Sequence, residues 1–189
     1  MIFLNQLIIP AARTIKDYEV LLRKEEFTTI ILLESHVGQL QTLMNLAKKQ
    51  GKKVILHSDM VQGLKNDEAG AQFLCQVVKP DGLISTHSNV ITTAKKNGLL
   101  AIQRVFLLDS HSLERSYRVL ETSKPDYLEV LPGVMPEIIK EVKEHTKLPI
   151  IAGGFIRTPE DIETILASGA TAVTTSHREL WKVMKPALK

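Results

Sequence analysis

Short apolar runs alternate with amphipathic stretches along the whole chain. The runs fall at 7–9, 29–33, 54–56, 83–85, 100–103, 127–130, 149–152 and 172–174. They recur about every 23 residues, the length of one strand, one helix and two turns. Several carry β-branched and other apolar residues at consecutive positions, as strands buried on both faces do. Eight such units predict an α/β fold, a single compact (β/α)8 barrel of the TIM type spanning 1–189 and trimmed below the usual ~250 residues. An open doubly wound sheet with fewer strands is the other arrangement that fits.

Boundary signals support the helices between the runs. Thr158-Pro159-Glu160-Asp161 offers an N-cap, proline at the first helical position and acids in the first turn, and Gly169 supplies a stop. Ser176-His177-Arg178-Glu179 reads as a capping box ahead of Leu180, Trp181 and Met184 on an inner face. Leu40, Leu43, Met44 and Ala47 line another helix, stopped at Gly51. One small repeat stands out: Lys79-Pro80-Asp81 and Lys124-Pro125-Asp126 both sit where a helix hands over to a strand. Proline ends a helix there because it lacks the N–H. The echo marks either equivalent βα units or the same junction physics selected twice.

Composition narrows the class. Hydrophobic residues make up 44% and charged residues 24%, ordinary for a soluble globular protein. Cys75 is the only cysteine, so no intrachain disulfide can form, and its place in Phe73-Leu74-Cys75 reads as a buried structural thiol. No apolar run approaches the ~18 residues of a membrane span, and the first residues lack the basic start of a signal peptide. A cytoplasmic protein without a membrane segment is expected. The net charge of +3 permits a nucleic-acid partner without arguing for one.

In such folds chemistry collects where strands end. The seventh run ends in Gly153-Gly154 and the eighth in Thr175-Ser176, which leads into a helix start. Glycines let backbone N–H groups approach an anion, and a helix start adds unpaired donors. With Arg157 beyond the glycines, these two loops are expected to bind phosphate: Gly153, Gly154, Arg157, Thr175 and Ser176. A tight turn and a simple cap are what the loops would otherwise be. Other strand ends contribute His57, Asp59, Gln103 and Glu129, candidates for binding a polyol. Glu129 stands inside an apolar run, so it must be paired or face a polar cavity. A salt-bridge network, for example Glu129 with Arg104, explains the same residues.

His57, Asp59 and Glu129 could serve acid–base chemistry or hold a hard metal ion. No lysine lies at a strand's C-terminal end, no zinc spacing occurs, and nothing forms a diagnostic catalytic signature. Binding without catalysis, metal or cofactor is the expectation. A phosphate-handling barrel enzyme (an isomerase or phosphodiesterase) and a metabolite sensor with a protein partner are the alternatives.

Six segments stand out together: Ile9-Pro10-Ala11-Ala12-Arg13, Lys53-Val54-Ile55-Leu56-His57-Ser58-Asp59, Lys79-Pro80-Asp81-Gly82-Leu83-Ile84-Ser85-Thr86, Gln103-Arg104-Val105-Phe106, Glu129-Val130-Leu131-Pro132-Gly133 and Ala152-Gly153-Gly154-Phe155-Ile156-Arg157. In order and number they resemble the glycerol-3-phosphate-responsive antiterminators, regulators of bacterial glycerol uptake operons. The resemblance implies a barrel fold, glycerol 3-phosphate as effector and the leader mRNA of glycerol utilisation genes as partner, bound so that transcription does not terminate. A homo-oligomer is left open. No RNA-recognition motif is present, and most basic clusters fall near helix C-termini, where they complement the helix dipole. Arg104, Arg115 and Arg118 are least explained that way and are the candidate RNA contacts.

Overall fold

The computed structural model describes residues 6–182. Eight parallel strands close into a barrel: β1 (Ile8–Ala12), β2 (Thr29–Leu32), β3 (Lys53–His57), β4 (Gly82–Ser85), β5 (Leu100–Phe106), β6 (Tyr127–Leu131), β7 (Ile150–Gly153) and β8 (Ala172–Thr175). Neighbours in sequence are neighbours in the barrel, and β8 returns to β1 with Ile9 opposite Thr174. The closed barrel therefore holds, and the open sheet is excluded. Outside it lies one element with no signal in the sequence, a two-residue parallel ladder of Ser35–His36 with Val61–Gln62.

The helices are α1 (Ile15–Leu22), α2 (Leu40–Lys49), α3 (Glu68–Phe73), α4 (Ser88–Lys96), α5 (Ser110–Ser123), α6 (Pro136–Thr146) and α7 (Pro159–Ala167). Side-chain oxygens of Thr14, Asp67, Asp109 and Thr158 cap α1, α3, α5 and α7. Beyond β8 the expected capping box at Ser176 gives way to a 3-10 turn, Arg178–Lys182. Thr175 Oγ1 accepts from His177 N there, and Trp181 Nε1 donates to the Thr175 carbonyl at 3.0 Å, which buries Trp181 and Leu180 under the barrel wall. Met184 lies outside the described residues.

The strands are apolar on both faces because they serve two cores. Inside the barrel, Ile9, Ile31, Ile55, Ile84, Ile102 and Ile151 interlock with Ala11, Tyr127 and Ala172. Each buried isoleucine contributes about 2–3 kcal/mol of apolar burial. Outside, α1–α4 pack one larger core around Tyr18, Leu40 and Leu83, and α5–α7 a second around Leu128, Ile139 and Ile162.

The Lys-Pro-Asp repeat is a strand clasp used twice. Asp81 N donates to the Val54 carbonyl at 2.9 Å, and Val54 N donates to Asp81 Oδ2 at 2.8 Å. One β-strand pair further round, Asp126 N donates to Ala101 O at 2.8 Å, and Ala101 N to Asp126 Oδ2 at 2.9 Å. The lysine ends the helix in the left-handed conformation and the aspartate pins the start of the neighbouring strand.

Candidate ligand site at the strand C-termini

Side chains alternate along a strand, so the residue two beyond each inner-core position forms the next layer up. Above Ala11, Ile31, Ile55, Ile102, Tyr127 and Ala172 this rule places Arg13, Leu33, His57, Arg104, Glu129 and Thr174. Above them opens a cavity of about 630 Å³. Arg13, Arg104, Glu129, Gly154, Arg157, Thr174, Thr175, Ser176 and His177 supply its polar wall, and Leu33, Met60, Leu131 and Phe155 much of its apolar one. That volume suits a small metabolite.

Glu129 and Arg104 form the floor. Arg104 Nε donates to Glu129 Oε2 at 2.6 Å, and Thr174 Oγ1 donates to Glu129 Oε1 at 2.9 Å. The two side chains are 1% and 10% exposed, which satisfies the buried carboxylate and holds Arg104 against the cavity. His57 is buried beside them, and neither ring nitrogen has a hydrogen-bond partner among the described residues. Burial first, and the nearby Arg104 charge second, push its pKa down to about 4, against the pull of Asp59 and Glu129. The imidazole is therefore neutral at pH 7.

The loops after β7 and β8 form the opposite wall. Gly154 has φ +82°, and Phe155, also left-handed at +60°, projects into solvent. Gly133 presses its backbone onto that of Gly153, where a Cβ would come within 2.8 Å of Gly153 N. At the start of α7, Asp161 Oδ2 accepts from Arg157 N at 2.8 Å and Thr158 N at 3.0 Å. Those amides are thus occupied, and Arg157 lines the cavity. Four of the five residues expected at a phosphate, Gly154, Arg157, Thr175 and Ser176, share this wall, with Gly153 buried behind them. Arg13, 3.6 Å from Glu34 in an exposed and weak pair, brings a further cation to the rim.

The polyol candidates divide. Glu129 lines the cavity and His57 is buried beneath it, whereas Asp59 and Gln103 are not brought to it. Gln103 lies between inward-facing Ile102 and Arg104, so it points outward, and its Nε2 donates to the carbonyls of Ser85 (3.1 Å) and Thr86 (3.0 Å). Asp59 sits in the turn beyond β3 and reaches sideways to the same loop. It accepts from Ser58 Oγ (3.1 Å), Ser85 Oγ, Thr86 N (2.8 Å) and Thr86 Oγ1 (2.7 Å). Burial alone would raise its pKa, but the bonds from Ser85 and Thr86 outweigh that and hold it below the ordinary carboxylate value. Both residues brace the loop after β4.

Of the three arginines expected at RNA, Arg104 and Arg115 line one outer groove, and Arg118 lies one turn further along α5. The Arg104 side chain is committed to Glu129 inside the mouth. Arg115 and Arg118 are exposed on α5, Arg115 beside Phe106 in that groove of about 430 Å³. Among the described residues no three His, Cys, Asp or Glu side chains converge to hold a metal ion, so His57, Asp59 and Glu129 do not form the cluster their types allowed. Cys75 is buried, and burial pushes its thiol pKa up. No helix among the described residues is long and apolar enough to cross a membrane. Sequence reasoning missed Arg13, Thr174 and His177 as cavity residues. Period-two counting finds the first two only once the structure shows that Ala11 and Ala172 face inward.

The comparisons agree with this architecture. A family model for the glycerol-3-phosphate responsive antiterminator matches residues 8–181. The crystal structure of the glycerol uptake operon antiterminator regulatory protein from Listeria monocytogenes is similar at a TM-score of 0.95 and 44% identity, over 97% of this chain and 99% of that one. A glycerol uptake operon antiterminator-related protein from Thermotoga maritima is similar at a TM-score of 0.81 and 31% identity, over 94% and 98%. The Escherichia coli protein YgcP is 34% identical over 154 residues, 80% of this chain and 81% of its own length. The chain therefore belongs to the glycerol-3-phosphate responsive antiterminator family, whose general function is transcription antitermination.

Proposed function

We propose that the chain binds glycerol 3-phosphate in the mouth of the barrel and, so loaded, binds the leader mRNA of glycerol utilisation genes and prevents termination. The observation that carries the ligand reading is the cavity wall that joins Gly154, Arg157, Thr175 and Ser176 opposite the Arg104–Glu129 pair. Phosphate sits against the left-handed Gly154 turn and the Ser176 hydroxyl, with Arg157 and Arg13 supplying charge-assisted bonds. The glycerol end reaches toward the floor, where Arg104 donates and Glu129 and neutral His57 supply acceptors. Glu129, the acid nearest the ligand, is tied to Arg104 and Thr174, which suits holding a ligand rather than transferring its protons. The lone, buried Cys75 fits a cytoplasmic setting.

Calorimetric titration with glycerol 3-phosphate tests the placement. Gly154→Val puts a β-branched side chain at φ +82° and should abolish binding in a protein whose barrel still unfolds cooperatively. Ser176→Ala should weaken binding by about 1 kcal/mol, roughly fivefold. Undiminished affinity in both variants would refute the site.

A further inference from the structure

The two ends of the barrel differ in charge. The turns leading into the strands, with the last helical turns (20–29, 46–53, 76–82, 94–100, 121–127, 143–149 and 168–172), hold twelve Lys and Arg against six Asp and Glu. The mouth segments (12–19, 32–40, 57–70, 85–90, 104–115, 129–137, 153–163 and 175–182) hold eight against fourteen. Helix dipoles favour this polarity and account for last-turn cations such as Lys48, Lys49 and Lys96.

They do not account for the residues just past the helices. After α2, α4 and α7 the left-handed position is glycine: Gly51, Gly98 and Gly169. After the α3 segment, α5 and α6 it is lysine, with φ of 55° at Lys79, 42° at Lys124 and 58° at Lys147. Left-handed backbone disfavours any side chain, so a lysine placed there three times keeps its charge against the conformational preference. All three side chains are exposed and form no ion pair or hydrogen bond among the described residues. The acids two positions on, Asp81 and Asp126, do not neutralise Lys79 and Lys124, because their carboxylates are turned to the amides of Val54 and Ala101. Lys48 and Lys49 at the end of α2 and Lys53 at the start of β3 are likewise exposed and unpaired among the described residues.

We infer that the strand-N-terminal end of the barrel, from Lys48 round through Lys79 to Lys124 and Lys147, is the surface that holds an RNA phosphodiester backbone. The identity of the partner rests on the antitermination reading above; the location rests on the lysines. Ammonium groups on flexible stems suit a repeating phosphate backbone read without base contacts. Arg115 and Arg118 are a poorer surface, because Glu114 and Glu121 share their helix. A membrane would call for a cluster of exposed aromatic or leucine side chains among the lysines; of the described large apolar residues only Leu46 and Val77 are exposed on that arc, and the most exposed apolar side chains, Leu108 at 78% and Phe155 at 68%, stand at the mouth.

The test uses the full chain with saturating glycerol 3-phosphate, a glycerol-operon leader transcript and a uridine 20-mer as sequence-neutral control. The variant Lys79→Gly/Lys124→Gly/Lys147→Gly should unfold at higher urea yet bind the transcript at least tenfold more weakly. The slope of log affinity on log salt should shrink by about 2, at roughly 0.7 per lost contact. Lys48→Ala/Lys49→Ala/Lys53→Ala should weaken binding similarly, and neither triple variant should change ligand affinity. Unchanged RNA affinity and salt slope in both overturn the surface, even where the parent binds RNA in a ligand-dependent way. A parent whose RNA affinity ignores the ligand but depends on these lysines keeps the surface and loses the gating. A parent that binds neither RNA overturns both.

Discussion

The mouth and the base of the barrel are built from the same parts, yet they spend their charges differently. At the mouth the aspartates and the one buried glutamate near the strand ends are consumed within the fold. Asp67, Asp109 and Asp161 cap helices, Asp59 braces the loop after β4, and Glu129 fixes Arg104. The cavity is left with Arg13, Arg104 and Arg157 around one neutralised carboxylate. At the base two acids are consumed as strand clasps, and the lysines beside them are left over. Counting charges alone makes the mouth acidic and the base basic. Following the carboxylates to their donors shows cations able to meet an anion at both ends, gathered round one cavity at the mouth, exposed and dispersed at the base.

The contrast in burial predicts contrasting responses to pH. His57 has a folded pKa near 4 against 6.5 for the free group, so between those values the unfolded chain binds more protons. Stability from this residue is fully present above pH 6.5 and is lost as pH falls toward 4. The gap corresponds to about 3 kcal/mol. Urea unfolding of the parent should weaken across that window, and His57→Leu should flatten the decline there. The further loss at lower pH belongs to carboxylates with depressed pKa values, buried Asp59 and the capping Asp109 and Asp161 among them, and should persist in the variant. An unaltered slope between pH 6.5 and 4 in His57→Leu would mean that the imidazole is solvated, and the mouth would lose its distinction as the buried end.

At the base a smaller effect sharpens the comparison. Asp81→Ala and Asp126→Ala each remove a charged acceptor from a strand amide and should each cost about 2 kcal/mol in urea unfolding. The Lys95 pair at Asp126 is exposed and should add little to the second. Costs that differ by much more than about 1 kcal/mol would show that the repeat is not one clasp used twice.

Much of this was legible in the sequence, but unevenly. The eight strands and their spacing followed from apolar runs, and the caps at Thr158 and the stop at Gly169 from local chemistry. The facing of strand residues did not follow. Strands apolar on both sides show no alternation, so nothing in the sequence separates inward Arg104 from outward Gln103. Asp59 carried the same ambiguity, since a residue in a turn can point to any neighbour. The Glu129–Arg104 pair was visible as one of two options because a carboxylate in an apolar run demands a partner. The Lys-Pro-Asp echo was visible too, but its meaning needs the neighbouring strand, which sequence order alone does not align.

The most direct test of the central claim is the affinity of the parent protein for a glycerol-operon leader transcript, measured with and without saturating glycerol 3-phosphate at fixed salt. Ligand should tighten RNA binding, and by linkage the transcript should tighten calorimetric binding of glycerol 3-phosphate by the same factor. Equal RNA affinity in the two conditions would contradict a ligand-gated antiterminator, however well the mouth binds its ligand.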